Sequence, residues 1–187
     1  MINLQKKQTI NLVKNAPTLN KIKIGLSWDQ IQINGQDPDC DVSVFMLGEN
    51  GKLPGEQFFI FYNNLQSGDG AVKHNGDNRS GAGDGDDETI DITLNDISST
   101  ISQIIFTISI NNSEIGFNFS TVANACVKIY NCVNNQIICQ YKLNETYPDS
   151  NTLDIGRCYR IGNEWEFEAL GYNYNGGLEA ALSRYGS

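Results

Sequence analysis

Thr89-Ile90-Asp91-Ile92-Thr93-Leu94 alternates polar and apolar side chains residue by residue. A period of two puts Ile90, Ile92 and Leu94 on one face of an extended chain and Thr89, Asp91 and Thr93 on the other, the pattern of a half-buried β-strand. Immediately before it runs Asp77-Asn78-Arg79-Ser80-Gly81-Ala82-Gly83-Asp84-Gly85-Asp86-Asp87-Glu88. That run holds five carboxylates, three glycines, one cation and no aliphatic side chain larger than Ala, so it is neither core nor regular structure. It reads as a loop fastened directly to a strand.

Carboxylates crowded this closely repel one another, which raises their pKa values and disfavours the compact state unless a cation neutralises them. From composition alone the run is equally a solvated surface loop or a site for a divalent ion. Its junction with the strand at Thr89 favours the ion. Oxygen donors without His or Cys select Ca²⁺ or Mg²⁺ over zinc or copper, and the glycines let backbone carbonyls turn inward. The run is not an EF-hand: Asp77 and Glu88 stand at positions 1 and 12, but Arg79, Gly81 and Ala82 fall where two ligands and the turn glycine belong. One Gly-rich turn without a second copy is no calcium β-roll, and an acidic Gly-x-Gly run with no Lys-Ser/Thr after it repels phosphate.

Outward from this centre the chain is a series of short strand patterns separated by turns. Thr9–Val13, Ile22–Trp28 and Asp39–Leu47 come first, the last closed by Gly48–Lys52 and answered by Phe58–Tyr62 in a hairpin. Gln103–Ile110 is rich in β-branched residues and reads as a central strand. Cys126–Tyr130 with Ile137–Leu143, and Gly156–Ile161 with Trp165–Leu170, form two further hairpins. Only Leu178–Tyr185, preceded by Gly176-Gly177, has helical spacing. Many strands without β-helix-β alternation predict an all-β fold: an antiparallel two-sheet β-sandwich with a few short helices, one near the C-terminus, as a single domain over residues 1–187. Asp39 and Asp41, two apart at a strand start, direct their carboxylates to one side, and Asn63-Asn64 ends the partner strand. Placed beside the acidic run, these ends complete an oxygen-rich shell.

The 187 residues carry a net charge of −9, which argues against nucleic acid as a partner. There is no apolar run long enough for a transmembrane segment and no signal-like N-terminus, so the expected location is cytoplasmic. Cys40, Cys126, Cys132, Cys139 and Cys158 are odd in number and lack C-x-x-C pairing, which fits reduced, mostly buried thiols.

Gly25-Leu26-Ser27-Trp28-Asp29, Asp39-Cys40-Asp41-Val42-Ser43-Val44-Phe45, Phe59–Ser67, Gly70–His74, Gly76–Gly81, Gly85–Glu88, Asn118-Phe119 and Gly176-Gly177-Leu178 together resemble the TerD-type tellurium-resistance and general stress protein family, in the family's order from Lys23 onward. The resemblance implies a calcium-binding β-sandwich, with two neighbouring Ca²⁺ ions as the cofactors, a role in tellurite or oxidative and chemical stress resistance, and no enzymatic activity. It implies loop ligands at Asp77, Asn78, Asp84, Asp86, Asp87 and Glu88, with Asp39 and Asp41 supplied by the strand. Protein partners, in a membrane-associated resistance complex, are implied as well. Some relatives are described as binding cyclic AMP. One departure concerns the metal: the family commonly has His-Asp where this chain has Asn111-Asn112, and Asn112 offers an amide oxygen without charge. Fewer anionic ligands imply weaker binding or one lost site.

Two other functions compete. A metal-dependent phosphoester hydrolase would need a general base, and the one histidine, His74, reads as a surface loop residue. A small-ligand binder, for a cyclic nucleotide, would draw on Tyr172 and Tyr174 near Gly171, Gly176 and Gly177, although such aromatics usually serve packing.

Overall fold

In chain order the strands are β1 (Ile2–Leu4), β2 (Thr9–Asn11), β3 (Lys21–Gln30), β4 (Cys40–Leu47), β5 (Phe59–Ile60), β6 (Val72–His74), β7 (Glu88–Thr93), β8 (Gln103–Ile110), β9 (Val122–Asn131), β10 (Gln136–Lys142), β11 (Thr152–Ile161) and β12 (Glu164–Tyr174), followed by helix α1 (Gly177–Tyr185). The computed structural model describes residues 1–14, 19–30, 32–76, 85–111, 113–143, 145 and 147–186. Short 3-10 turns occupy Glu56–Phe58, Leu94–Asp96 and Ser113–Ile115. Leu94 therefore leaves the strand its alternation assigned it to, yet stays buried.

The strands form two six-stranded sheets, β1-β10-β9-β3-β7-β6 and β2-β12-β11-β8-β4-β5. This is the expected two-sheet sandwich. Neighbours pair antiparallel, apart from β1 against β10, which run parallel with Ile2 opposite Cys139. The central position expected for Gln103–Ile110 holds, with β8 lying between β11 and β4.

Alternation explains which side chains meet. Ile22, Ile24 and Leu26 of β3 and Ile90 and Ile92 of β7 point inward against Val42, Val44 and Met46 of β4 and Ile104, Phe106 and Ile108 of β8, making one apolar core between the sheets. β4 is buried at every position because its other face is covered too. Phe45 and Leu47 of β4 and Ile105 of β8 pack under α1 with Ala181, Leu178, Leu182 and Tyr185, a second and smaller core. Covered on both faces, the second half of β4, Val44–Leu47, runs continuously apolar, while Asp41 and Ser43 of the first half are buried polar side chains.

One sandwich edge sets up the candidate site. β5 pairs with β4 only through Val44–Ile60 and Phe45–Phe59, so the start of β4 extends past its neighbour. The expected strand Phe58–Tyr62 is cut to two residues by the 3-10 turn on one side and by the tight turn Phe61–Asn64 on the other. Beside it, β6 forms the exposed edge of the other sheet, paired to β7 through Val72–Ile92 and His74–Ile90.

Candidate metal centre

Glu88 opens β7 in the same inward series as Ile90 and Ile92, and is 2% exposed. A carboxylate there is costly to dehydrate, so its partners matter. Its Oε2 accepts a hydrogen bond from the Val42 backbone N–H at 3.2 Å, at the stretch of β4 beyond the reach of β5. The same oxygen is 3.0 Å from His74 Nε2. His74 Nδ1 accepts from the Gly76 N–H at 3.1 Å, so Nε2 carries the ring proton and donates to Glu88. The other oxygen, Oε1, is buried and has no hydrogen-bond partner among the described residues. Burial pushes the Glu88 carboxyl above its ordinary range, His74 pulls it back in part, and the nearby Asp41 charge pushes it up again.

His74 thus departs from its sequence reading as a surface loop residue. It lies on β6 with its side chain 1% exposed and both ring nitrogens engaged. The signal was the inward pair Val72 and His74 around the exposed Lys73, too short an alternation to stand out from a loop.

Asp39 and Asp41 flank Cys40 at the start of β4. Asp41 is buried, 6% exposed, and its Oδ2 accepts a hydrogen bond from Asn111 Nδ2. The Asn111 N–H donates to the Asp39 carbonyl at 2.8 Å, so the residue after β8 fixes the start of β4. Cys40 reports what surrounds it: burial raises its thiol pKa first, and then Asp39, Asp41, Glu88 and Asp87 add to the effect. The start of β4 and the first residue of β7 are thus neighbours, joined by the Val42 N–H to Glu88. Asp87 Oδ2 accepts from the Trp28 N–H at 2.8 Å, and burial raises its carboxyl above the ordinary range, countered by that bond.

Asp86 goes elsewhere. Its carboxylate is 2.8 Å from Lys128 Nζ on the outer face of β9, and burial with the Asp86 charge raises the pKa of the nearby Tyr130 hydroxyl. Asn63 is exposed in the turn closed by the reciprocal Phe61 and Asn64 backbone bonds, and Leu65 just after it accepts from the His74 N–H at 2.8 Å. Asp77, Asn78, Asp84 and Asn112 lie outside the described residues. Among the described residues no three His, Cys, Asp or Glu side chains stand close enough to hold an ion by themselves.

Away from this edge, Tyr172 lines a cavity of about 290 Å³ with Ile105, Leu170, Arg184 and Tyr185. Tyr174 instead donates to the buried Asp154.

A buried Glu, an Asp-x-Asp strand start and an acidic Gly-rich run at one edge of a two-sheet sandwich invite comparison with known proteins. The TerD domain matches residues 1–185. This chain belongs to the TerD family. The match reaches back to Met1, beyond the stretch from Lys23 that carries the resemblance in sequence motifs. The tellurium resistance protein TerD of Serratia marcescens is 40% identical over 186 residues, covering 99% of this chain and 97% of its own. General stress protein 16U of Bacillus subtilis is 41% identical over 187 residues, with the same coverage of 99% and 97%. The crystal structure of a TerD homologue from Streptomyces coelicolor A3(2) superposes with a TM-score of 0.67 at 16% identity, covering 87% of this chain and 94% of that one. The fold described above is thus the fold of TerD homologues.

Proposed function

We propose that this TerD-family protein is a calcium-binding stress-response protein, acting in the cytoplasm in resistance to tellurium and related chemical stress, and that it works by binding rather than by catalysis. The stress role rests on the relatives, whose names speak of tellurium resistance and general stress. Calcium rests on Glu88. A carboxylate 2% exposed, with one oxygen held by Val42 and His74 and the other without a partner among the described residues, is a dehydrated donor waiting for a cation.

The donors fit a hard divalent ion. Glu88, Asp41, Asp39 and Asp87 offer only oxygens, and the repulsion of Glu88 by Asp41 is a cost an ion removes. Asp77, Asn78, Asp84, Asn63 and Asn112 would supply the rest of the shell for two ions. When bound, Ca²⁺ would neutralise the acidic run and order a surface for protein partners. His74 Nε2 orients the Glu88 carboxylate by holding its second oxygen.

Calorimetric titration of metal-stripped protein with Ca²⁺, repeated with Mg²⁺ and paired with thermal melting, tests this reading. Saturable binding of one or two Ca²⁺ with a raised melting temperature is the expected result. No heat and no shift with either ion would remove calcium from the account.

A further inference from the structure

We propose that Asp86 is not an ion ligand but the anchor that fixes where the acidic run joins the sandwich. This rests on the calcium reading above and assigns one of its candidate residues a different part. Gly25 and Lys128 pair across β3 and β9, and both alternate with inward-facing neighbours, Ile24 and Leu26 on one strand and Val127 and Ile129 on the other. Their outer face is where Asp86 lies. Glu88, two residues on, turns inward to Val42 and His74. The two carboxylates leave opposite faces of the sheet with the backbone of β3 between them, so they do not reach a common ion.

The seat of Asp86 is built for it. Lys128 Nζ stands 2.8 Å from Oδ1, and the Asp86 side chain is only 9% exposed. Beneath it Gly25 has no side chain, and a Cβ there would fall 2.0 Å from Oδ2 and 2.3 Å from Cγ. Lys128 supplies the positive charge at this carboxylate. One residue later the Asp87 N–H donates to the Leu26 carbonyl at 2.7 Å, so the run is joined to β3 before Glu88 begins the strand. Asp86 sets the point of entry, and through it the position of Asp87 and Glu88.

Gly25→Ala tests this without altering any charge or oxygen donor. The new methyl occupies the seat, and the Asp86 carboxylate must leave Lys128. An anchor predicts a several-fold loss of Ca²⁺ affinity by titration calorimetry in Gly25→Ala. It also predicts that Asp86→Lys is rescued by Lys128→Asp, since the reversed pair still bridges but a lysine at position 86 cannot ligate. Unchanged or tighter Ca²⁺ binding in Gly25→Ala, or no recovery in the reversed pair, overturns the proposal and returns Asp86 to the ligands. Should the wild type take up no Ca²⁺, the calcium reading falls by itself. The anchor is then judged on melting of the Asp86→Asn and Lys128→Met variants, where a combined loss smaller than the sum supports it and additive losses overturn it.

Discussion

His74 Nε2 donates to Glu88 Oε2 at 3.0 Å with both side chains about 1% exposed, which ties the edge strand β6 to the residue where the acidic run enters β7. His74→Ala leaves that oxygen with Val42 alone and opens a buried gap. The expected cost in metal-free protein is about 1–3 kcal/mol, the usual penalty for stranding a buried polar partner. For a domain of this size that is a fall of roughly 2–4 °C in melting temperature per kcal/mol. His74→Gln, whose amide N–H can reach the same oxygen, should recover part of the loss.

Glu88→Gln separates fold from ion. Removing a dehydrated charge whose Oε1 has no partner among the described residues is expected to leave metal-free stability unchanged or raise it. The same variant should lose the melting shift that Ca²⁺ gives the wild type. A Glu88→Gln protein that melts higher with Ca²⁺ by the wild-type amount would show that the ion is held without this oxygen.

Acidity offers an independent check. Glu88, Asp87 and Asp154 all have carboxyls raised by burial, so the folded chain holds these protons more tightly than the unfolded one. Their contribution to stability is fully present below the ordinary carboxylate range and is lost as pH rises through the raised folded values. Metal-free protein should therefore melt higher in weak acid than at neutral pH. Glu145, lowered by Lys6, acts in the opposite sense, but it is exposed and its effect is screened. Saturating Ca²⁺ removes the repulsion around Glu88 and Asp87, and melting curves across a pH series should flatten relative to those in chelator.

Alternation made most of the sandwich legible in sequence, because a residue such as Ile90 or Val127 has only two faces to choose from. Short edges were not legible. β1 and β6 are three residues each, too brief for a period to register, and the parallel pairing of β1 with β10 depends on contacts more than a hundred residues apart. The site was readable as a composition and not as a geometry. Asp86, Asp87 and Glu88 are consecutive acids, yet one goes to Lys128, one to the Trp28 N–H and one into the sandwich, since the backbone pairing with Leu26 decides each direction.

The C-terminal helix is fastened through a buried carboxylate. Asp154, 1% exposed, accepts from Thr107 Oγ1 at 2.6 Å, Tyr174 OH at 3.1 Å and Tyr185 OH at 2.6 Å. Tyr185→Phe removes one donor of three and keeps the ring against Phe45, centroids 5.0 Å apart. A loss of about 1.5–3 kcal/mol is expected for a hydrogen bond to a charged group. Phe45→Ala strikes both the apolar packing and the ring contact, and should cost about 3–5 kcal/mol by the measure of other buried Phe truncations. Thermal or denaturant melting ranks the two, and a Tyr185→Phe protein as damaged as Phe45→Ala would mean that the hydroxyl, not the packing, holds the helix.

Cys132 differs from the other thiols. Cys40, Cys126, Cys139 and Cys158 are buried, whereas Cys132 is exposed in the turn between β9 and β10. Burial pushes the Cys139 thiol up to about 12 and Cys40 and Cys158 higher still, so at neutral pH they are neither accessible nor ionised. A disulfide reagent added to native protein should therefore modify one thiol per chain quickly and the other four only on unfolding. Cys132 is itself raised, by burial and the Asp91 charge, so its rate should climb as pH moves into the alkaline range. Cys132→Ser should abolish the fast phase without lowering the melting temperature. Fast labelling that survives Cys132→Ser would mean that a core thiol opens to solvent in the native state.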